Sequence, residues 1–421
     1  MADYVMNTSV NLLGTTSRVA TPVVGVKIGD YVFGVYGKAP GFGGTDESQY
    51  IINPKYVTSL VVKKINGAVN QYTLKLKYPI TPSDDPNLID KVISSVSTTR
   101  KISFSYGDAS TPAFAYREEE ATITKVRRQT ATSSAIKSYT ISAISTGMLS
   151  TIGAYNFPKR RAKPSDVLYE ILYSPKYGLT QVFTGMSDRT LVEQSGLIAR
   201  NDKVVTLEPK NAISVLDYMN YLVDMMTPSS SSKGMLRDSV YLLVFEDAVS
   251  GNFTGPYFKV VQSQHHVEMP TAYEIDIGYP SENIVTDFQI EDDETYSLYY
   301  AYASDLQGDV MSKRIADDGS IYNVYSPAWA SNSVFFKTTE DMRTWWTKVT
   351  EFPIKASITF RGLLRPAVLM SYVRLRITWF GRPDIDSGLY IVQSQQDTID
   401  ESGFKTTLSL FRVGGDDSYA Y

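Results

Sequence analysis

The sequence contains no cysteine. That excludes a disulfide framework, thiolate metal sites and a cysteine nucleophile, and it suits folding in a reducing compartment. Histidine is nearly as scarce, with only His265 and the adjacent His266. A metal centre built on several imidazoles cannot be assembled from one such chain, and a Ser-His-Asp arrangement would have to use one of these two. They end an alternating strand, where neighbouring rings point to opposite faces, a poor geometry for shared work on one substrate. No run approaches the roughly 20 apolar residues that span a bilayer. The opening MADYVMNTSVNLLG has no basic segment followed by an apolar stretch, so a soluble chain made inside a cell is expected. The sequons at Asn7 and Asn252 then carry no weight. Neither sign of charge dominates: the net charge of −4 over 421 residues excludes a general polyanion binder and leaves room for local basic patches.

What is present points to a β-rich, globular chain. A length of 421 residues exceeds one ordinary core, and 43% hydrophobic with 20% charged residues is a globular balance. The 30 tyrosines favour strands and assembly surfaces, where a large ring with a polar tip is useful. Residues 1–155 read as strands. VVGVKIGDYVFGVYG alternates through Val24, Val26 and Ile28. In YVTSLVVKKINGAVNQYTLKLKYPI, Asn66-Gly67 supplies a turn between two alternating arms. Tyr72, Leu74 and Leu76 share one face there, and Thr73, Lys75 and Lys77 the other. KISFSYGD and the hairpin ATITKVRRQTATSSAIKSYTISAIS complete a pattern that predicts an antiparallel β-barrel or sandwich.

The basic, proline-bearing NFPKRRAKPSD (Lys159, Arg160, Arg161, Lys163) reads as a linker, and the period then changes. Val167, Leu168, Ile171 and Leu172 fall at helical spacing and Pro175 stops the run. A second helix is expected to start at Asn211 as N-cap, with Ala212, Val215, Leu216, Met219, Leu222, Val223 and Met226 in one core stripe. TPSSSSKG reads as a loop. Strands return from Val240, interrupted by a helix over TTEDMRTWWTKV with capping-box spacing at Thr338 and Asp341. In YVRLRITW, Tyr372, Arg374, Arg376 and Thr378 line a wet face, and Val373, Leu375, Ile377 and Trp379 a dry one. The hairpins KVRRQTATSSAIKSYTISAIS and IVQSQQDTIDESGFKTTLSLFR share a Val, a Gln three residues on, a polar tip and a Lys opening the return strand, which suggests an internal duplication.

Motifs for chemistry are weak. GKAPGFGGTDES is glycine-rich but is not a phosphate loop: Lys38 does not follow a G-x-x-x-x-G, and no amphipathic helix pattern begins directly after it. The acidic runs Glu118–Glu120 and Glu291–Glu294 read as solvated stretches rather than a glycosidase pair. Trp345 and Trp346 read as helix core plus interface rather than a glycan platform. Arg127, Arg128, Arg374, Arg376 and Lys405 lie on or beside strands and are candidates to face a channel. No catalytic, metal or cofactor site is expected.

The closing hairpin, GLYIVQSQQDTIDESGFKTTLSLFRV, resembles that of phage baseplate hub proteins, the central trimer at the tip of contractile tails and related injection machines; tail proteins of long non-contractile phages share it. Gly388, Tyr390, Val392, Asp397, Ile399, Gly403, Phe404, Thr406, Leu408 and Leu410 carry the resemblance. KPSDVLYEILYSPKYGL and GYPSENIVTDFQI are similar to the helical insertion and to the start of the second barrel in that family; a stretch near 300–350 departs from it. The resemblance implies a mainly β fold with α/β insertions: a tube-like β-barrel over 1–155, a mixed α/β middle domain over 156–275, and a second tube-like barrel over 276–421. It implies a non-enzymatic homotrimer with pseudo-sixfold symmetry in the virion tail, assembled in the host cytoplasm. Its partners would be the tail tube or tube-initiator ring, the central spike, other baseplate proteins and the tape measure protein, with DNA passing through. The alternative is a tail-associated cell-wall hydrolase or glycan-binding module.

Overall fold

The computed structural model describes residues 22–29, 31–34, 51–52, 57–83, 85–95, 101–108, 116–145, 152–177, 202–226, 241–250, 253–262, 273–279, 285–292, 299–303, 312–315, 321–323, 332–336, 354–362, 369 and 372–415. The first part holds β1 (Pro22–Ile28), β2 (Tyr31–Gly34), β3 (Ile51–Ile52), β4 (Val57–Ile65), β5 (Gln71–Pro79), helix α1 (Leu88–Ser95), β6 (Lys101–Asp108), β7 (Tyr116–Ala131) and β8 (Ile136–Ser145). The middle holds β9 (Ala154–Phe157), β10 (Arg160–Ala162), α2 (Pro164–Tyr173), β11 (Val205–Leu207), β12 (Lys210–Ser214), α3 (Val215–Asp224), β13 (Tyr241–Ser250) and β14 (Phe253–Gln262). Then come β15 (Tyr273–Tyr279), β16 (Val285–Asp292) and a small sheet of β17 (Tyr299–Ala303), β18 (Ser312–Ile315), β19 (Ile321–Asn323) and β20 (Asn332–Phe336). The last are β21 (Ile354–Arg361), β22 (Tyr372–Trp379), β23 (Arg382–Pro383), β24 (Gly388–Asp400) and β25 (Gly403–Gly415).

Fifteen strands form one sheet in the order β16-β21-β25-β24-β4-β5-β8-β7-β6-β1-β2-β3, with β22 also on β24, and β15 and β23 on β22. The two barrels expected from the sequence are therefore not present: among the described residues no sheet is closed. The reason is local. Closing the first half would need the free edge of β4 to meet β1, but β4 is taken by β24 and β1 by β2. The mainly β character, with helical insertions, stands.

The strand order itself repeats. β4-β5-β8-β7-β6-β1 and β16-β21-β25-β24-β22-β15 run through the chain in the same sequence of steps. Four of the five ladders are antiparallel in both halves; the last is antiparallel for β1 on β6 and parallel for β15 on β22. Both long hairpins break register at the same depth. Seven positions separate break from turn in each, Lys125 to Ala131 in β7 and Ser394 to Asp400 in β24.

The break in β24 has a clear effect on packing. Before it, Tyr390 and Val392 are buried; after it, Gln395, Asp397 and Ile399 are, so one extra residue, Gln393, flips the inward parity. Along the other edge β24 also changes neighbour, from β22 at residues 388–391 to β4 at 394–400. Val392, Leu408 and Leu410 thus enter one apolar core with Ile277, Phe360 and Leu375, while Ile399 and Phe404 reach a second with Leu60, Leu74 and Phe104. This is why a long hairpin stands here: it joins the two half-sheets.

Helix α1 was not read from the sequence. Its Ile89, Val92 and Ile93 cap the core that holds Leu60, Leu74 and Phe104. Helix α2 forms as expected, with Val167, Leu168, Ile171 and Leu172 buried. Its first turn receives the buried Asp202 carboxylate, which accepts from the Ser165 amide at 2.9 Å and hydroxyl at 2.6 Å. Helix α3 begins later than expected. Residues 210–214 pair with β9, Ala212 has φ of 52°, and Ser214, not Asn211, caps the helix by accepting from the Asp217 amide at 3.0 Å. The stripe from Val215 to Met226 is buried and packs with α2 in a third cluster. The expected linker is likewise a strand, β10, with Arg160 bonded to Glu170 at 2.6 Å and Lys159 paired with Glu208 at 3.4 Å.

The Asn66-Gly67 turn, with Gly67 at φ of 70°, touches both β24 and α3. The Asn66 amide donates to the carbonyl of the bulged Gln393 at 3.0 Å, and Asn220 of α3 donates to the Gly67 carbonyl at 3.0 Å.

Candidate functional site

The face of the sheet opposite the two cores is polar. Cross-strand register sets its rows. One row runs Lys405, Thr398, Val61, Thr73, Ser142 and Lys125 across β25, β24, β4, β5, β8 and β7. The next runs Asp400, Ser59, Lys75, Thr140 and Arg127. Six strands span about 24 Å at ordinary strand spacing. Among the described residues no carboxylate lies within 4.0 Å of Lys63, Lys75, Lys77, Lys125 or Arg127. The surface is thus broad, hydroxyl-rich and dotted with unpaired cations. Its chemistry is attraction of anions through water.

Arg127 and Lys405 both lie on this face. Arg128 does not, because the next residue along a strand points the other way. It opposes Tyr139 on the core side, and its Nε donates to Asp90 of α1 at 2.5 Å. Burial works against the Asp90 carboxylate, but hydrogen bonds from Arg128 and Tyr139, with the charges of Arg128 and Lys137, hold it below its ordinary pKa. Arg374 and Arg376 follow Tyr372 along the wet edge of β22, where Arg376 pairs with Glu274 at 3.2 Å. Leu408 and Leu410 are buried and Lys405 is exposed, as the alternation predicts; Thr407 is half-buried, its hydroxyl 3.0 Å from that of Thr359.

The acidic run at 118–120 hides a group that the sequence reading missed. Glu119 shares parity with Ala121 and Ile123, so it points inward. It meets Lys64 at 2.7 Å, accepts from Tyr106 at 2.8 Å and accepts a short bond from Tyr72. Burial raises the cost of its charge, but the attraction of Lys64 and the bonds from Lys64, Tyr72 and Tyr106 outweigh it and hold the carboxyl below its ordinary value. Gln395 lies directly opposite Lys64, bonds Asp397 at 2.9 Å, and Thr406 donates to Asp397 at 2.6 Å. These residues form a buried polar layer between the two apolar cores. It is sealed, with 11% and 10% of the Lys64 and Glu119 side chains exposed, and offers no access to a substrate.

A cleft of about 170 Å³ lies between β9, α2 and α3. Phe157, Val167, Ile171, Tyr177 and Tyr218 line it, with Arg160 and Glu170 among them. Phe157 stacks on Tyr218, ring centroids 3.7 Å apart, and on Tyr177 at 5.8 Å. Burial pushes the Tyr218 hydroxyl up to about 12.

His265, His266, the glycine-rich loop, Trp345, Trp346, the Thr338 helix and both sequons lie outside the described residues. Among the described residues no group of three or more acidic or imidazole side chains is placed to hold a metal ion, and no helix is long and apolar enough to cross a membrane.

No family model matches this chain, and no curated protein matches it. Solved structures similar to it include two tail proteins and a component of a secretion system. The tail protein from Neisseria meningitidis is 9% identical with a TM-score of 0.47, covering 95% of this chain and 98% of its own. The 43 kDa tail protein of prophage MuSo2 from Shewanella oneidensis is 8% identical with a TM-score of 0.49, covering 93% and 97%. An E. coli component of the type VI secretion system is 9% identical with a TM-score of 0.43, covering 87% and 75%. All three scores fall below 0.5, so the likeness assigns no function.

Proposed function

We propose that this chain is the structural hub of a phage tail baseplate, a homotrimer that joins a sixfold tail tube, or its initiator ring, to a threefold central spike. One observation carries the reading: the strand order of the large sheet occurs twice in one chain. Three chains then offer six related wall segments to a sixfold neighbour, while the residues outside the repeat stay threefold for the spike. The motif of the closing hairpin supports the same assignment. The polar face supports a hydrated channel wall: its cations attract phosphates, and their wide spacing keeps the hold weak enough for DNA to pass. In this reading residues 1–155 and 276–421 supply the wall and 156–275 the intervening mixed α/β part. The tape measure protein and other baseplate proteins are further partners, assembly takes place in the host cytoplasm, and no cofactor or catalysis is involved. Light scattering on the full chain, alone and with its spike, tests this. A trimer is expected; a stable hexamer of full-length chains, which would carry twelve wall segments, would overturn it.

A further inference from the structure

Two stretches of strand edge in the large sheet stand open among the described residues. β16 pairs only with β21, and residues 125–131 of β7 pair only with β8, because β6 reaches no further than Thr122. The repeated strand order says what belongs there, since β7 corresponds to β24 and β16 to β4. Within the chain, residues 394–400 of β24 run on past β22 and pair with β4. Residues 125–131 are the same seven positions of β7, between break and turn. β4 and β16 also share a break of register, between Val57 and Ser59 in one and between Val285 and Asp287 in the other. The sequence repeats at that break, VTSL against VTDF, so Leu60 corresponds to Phe288 and Val62 to Ile290.

Burial marks a neighbour that one chain does not supply. Leu60 and Val62, beside β24, are 0% and 1% exposed, whereas Phe288 and Ile290 are only half-buried. On the other edge Gln395, Asp397 and Ile399 are buried, whereas their counterparts Val126, Arg128 and Thr130 are half-buried or exposed. The charges of the two open edges are opposite: Lys125 and Arg127 face outward on β7, and Asp287 and Glu291 on β16. We propose that residues 125–131 of one copy pair antiparallel with β16 of the next, reproducing between chains the junction that β24 and β4 make within each. Transferring that register places Arg127 opposite Glu291 and Gln129 opposite Gln289. Main-chain hydrogen bonds carry such a contact, and the exposed ion pair favours its register while adding little strength. The two edges are different patches, so the contact is heterologous and closes a ring by rotation. The inference rests on the trimeric reading and supplies its interface.

Gln129 and Gln289 are exposed and the chain lacks cysteine, so Gln129→Cys copies mixed with Gln289→Cys copies test the contact under a short bismaleimide reagent. Opposite residues of an antiparallel pair stand about 5 Å apart at Cβ. A cross-linked dimer that forms in the mixture and in neither variant alone is expected. In parallel, Glu291→Arg should raise the dissociation constant of the trimer about tenfold over its three contacts, since like charges then stand opposite, and Glu291→Arg with Arg127→Glu should restore it. A trimer that gives no cross-link in the mixture overturns the edge contact and leaves the trimer standing. A chain carrying both cysteines that links only to itself, as a monomer, means that the two edges meet within one copy and also overturns the contact. A parent chain that stays monomeric at every concentration, with or without its spike, overturns both the contact and the trimer.

Discussion

Lys64 and Glu119 meet 2.7 Å apart beneath the sheet, about nine-tenths buried, where β4 carries Lys64 opposite Gln395 of β24. Removing one partner leaves the other charge buried and uncompensated. Glu119→Ala should therefore cost about 3–5 kcal/mol, whereas the double variant Lys64→Met/Glu119→Leu should lie near the parent. Denaturant unfolding of the two proteins checks this; equal losses would show that the charge pairing itself is needed.

Acid should weaken the fold through the same group. The folded Glu119 carboxyl titrates below its ordinary value, so its contribution is fully present above the unfolded pKa, about 4.3, and is lost as pH falls through the folded value. Asp90 acts in the same direction. Unfolding free energy should drop on acidification below that range, and Glu119→Gln should flatten part of the slope.

Leu408→Asp should prevent folding or assembly. Leu408 is fully buried, deleting such a side chain costs about 2–5 kcal/mol, and an unpaired charge adds to that. Lys405→Asp, on the exposed face, should stay within about 0.5 kcal/mol of the parent. Thermal melting separates the two; the reverse order would mean that the strand faces the other way.

Ser214→Ala should cost about 1 kcal/mol through loss of the α3 cap, and Asn211→Ala should cost almost nothing. A larger loss at Asn211 would return the helix start to the earlier position.

Neutralising Lys63, Lys75 and Arg127 together should leave stability and tail assembly intact while changing the rate of DNA release and its salt dependence. Unchanged release kinetics would separate this face from the passage of DNA.

Most strands and helix α2 were legible because alternation and helical spacing are local. What was missed depended on distant partners. Asn211 has good N-cap chemistry, but β9 claims residues 210–214 as a strand. Glu119 sat in an acidic run that looked solvated, although its parity with Ala121 and Ile123 was a signal for the core. Helix α1 is short and lies among strands, although Ile89, Val92 and Ile93 hold helical spacing. Barrel closure failed as an inference because no local pattern tells which edge an edge strand will meet: β4 meets residues 394–400, far along the chain. On the candidate face, the outward direction of Arg127 and Lys405 follows from strand alternation, but the row that aligns Lys405 with Lys125 needs the register of six strands.

The change of neighbour along β24 also sets a folding order. During synthesis β4 emerges long before the segment that covers it, since residue 64 pairs with residue 395. Until then the β4 edge is an open template for pairing with another chain. Completing the sheet therefore awaits a contact of very long sequence separation, the slow kind to form. Nascent chains stalled before β24 are expected to be the aggregation-prone species, and chaperone dependence should track delivery of that hairpin rather than of any helix.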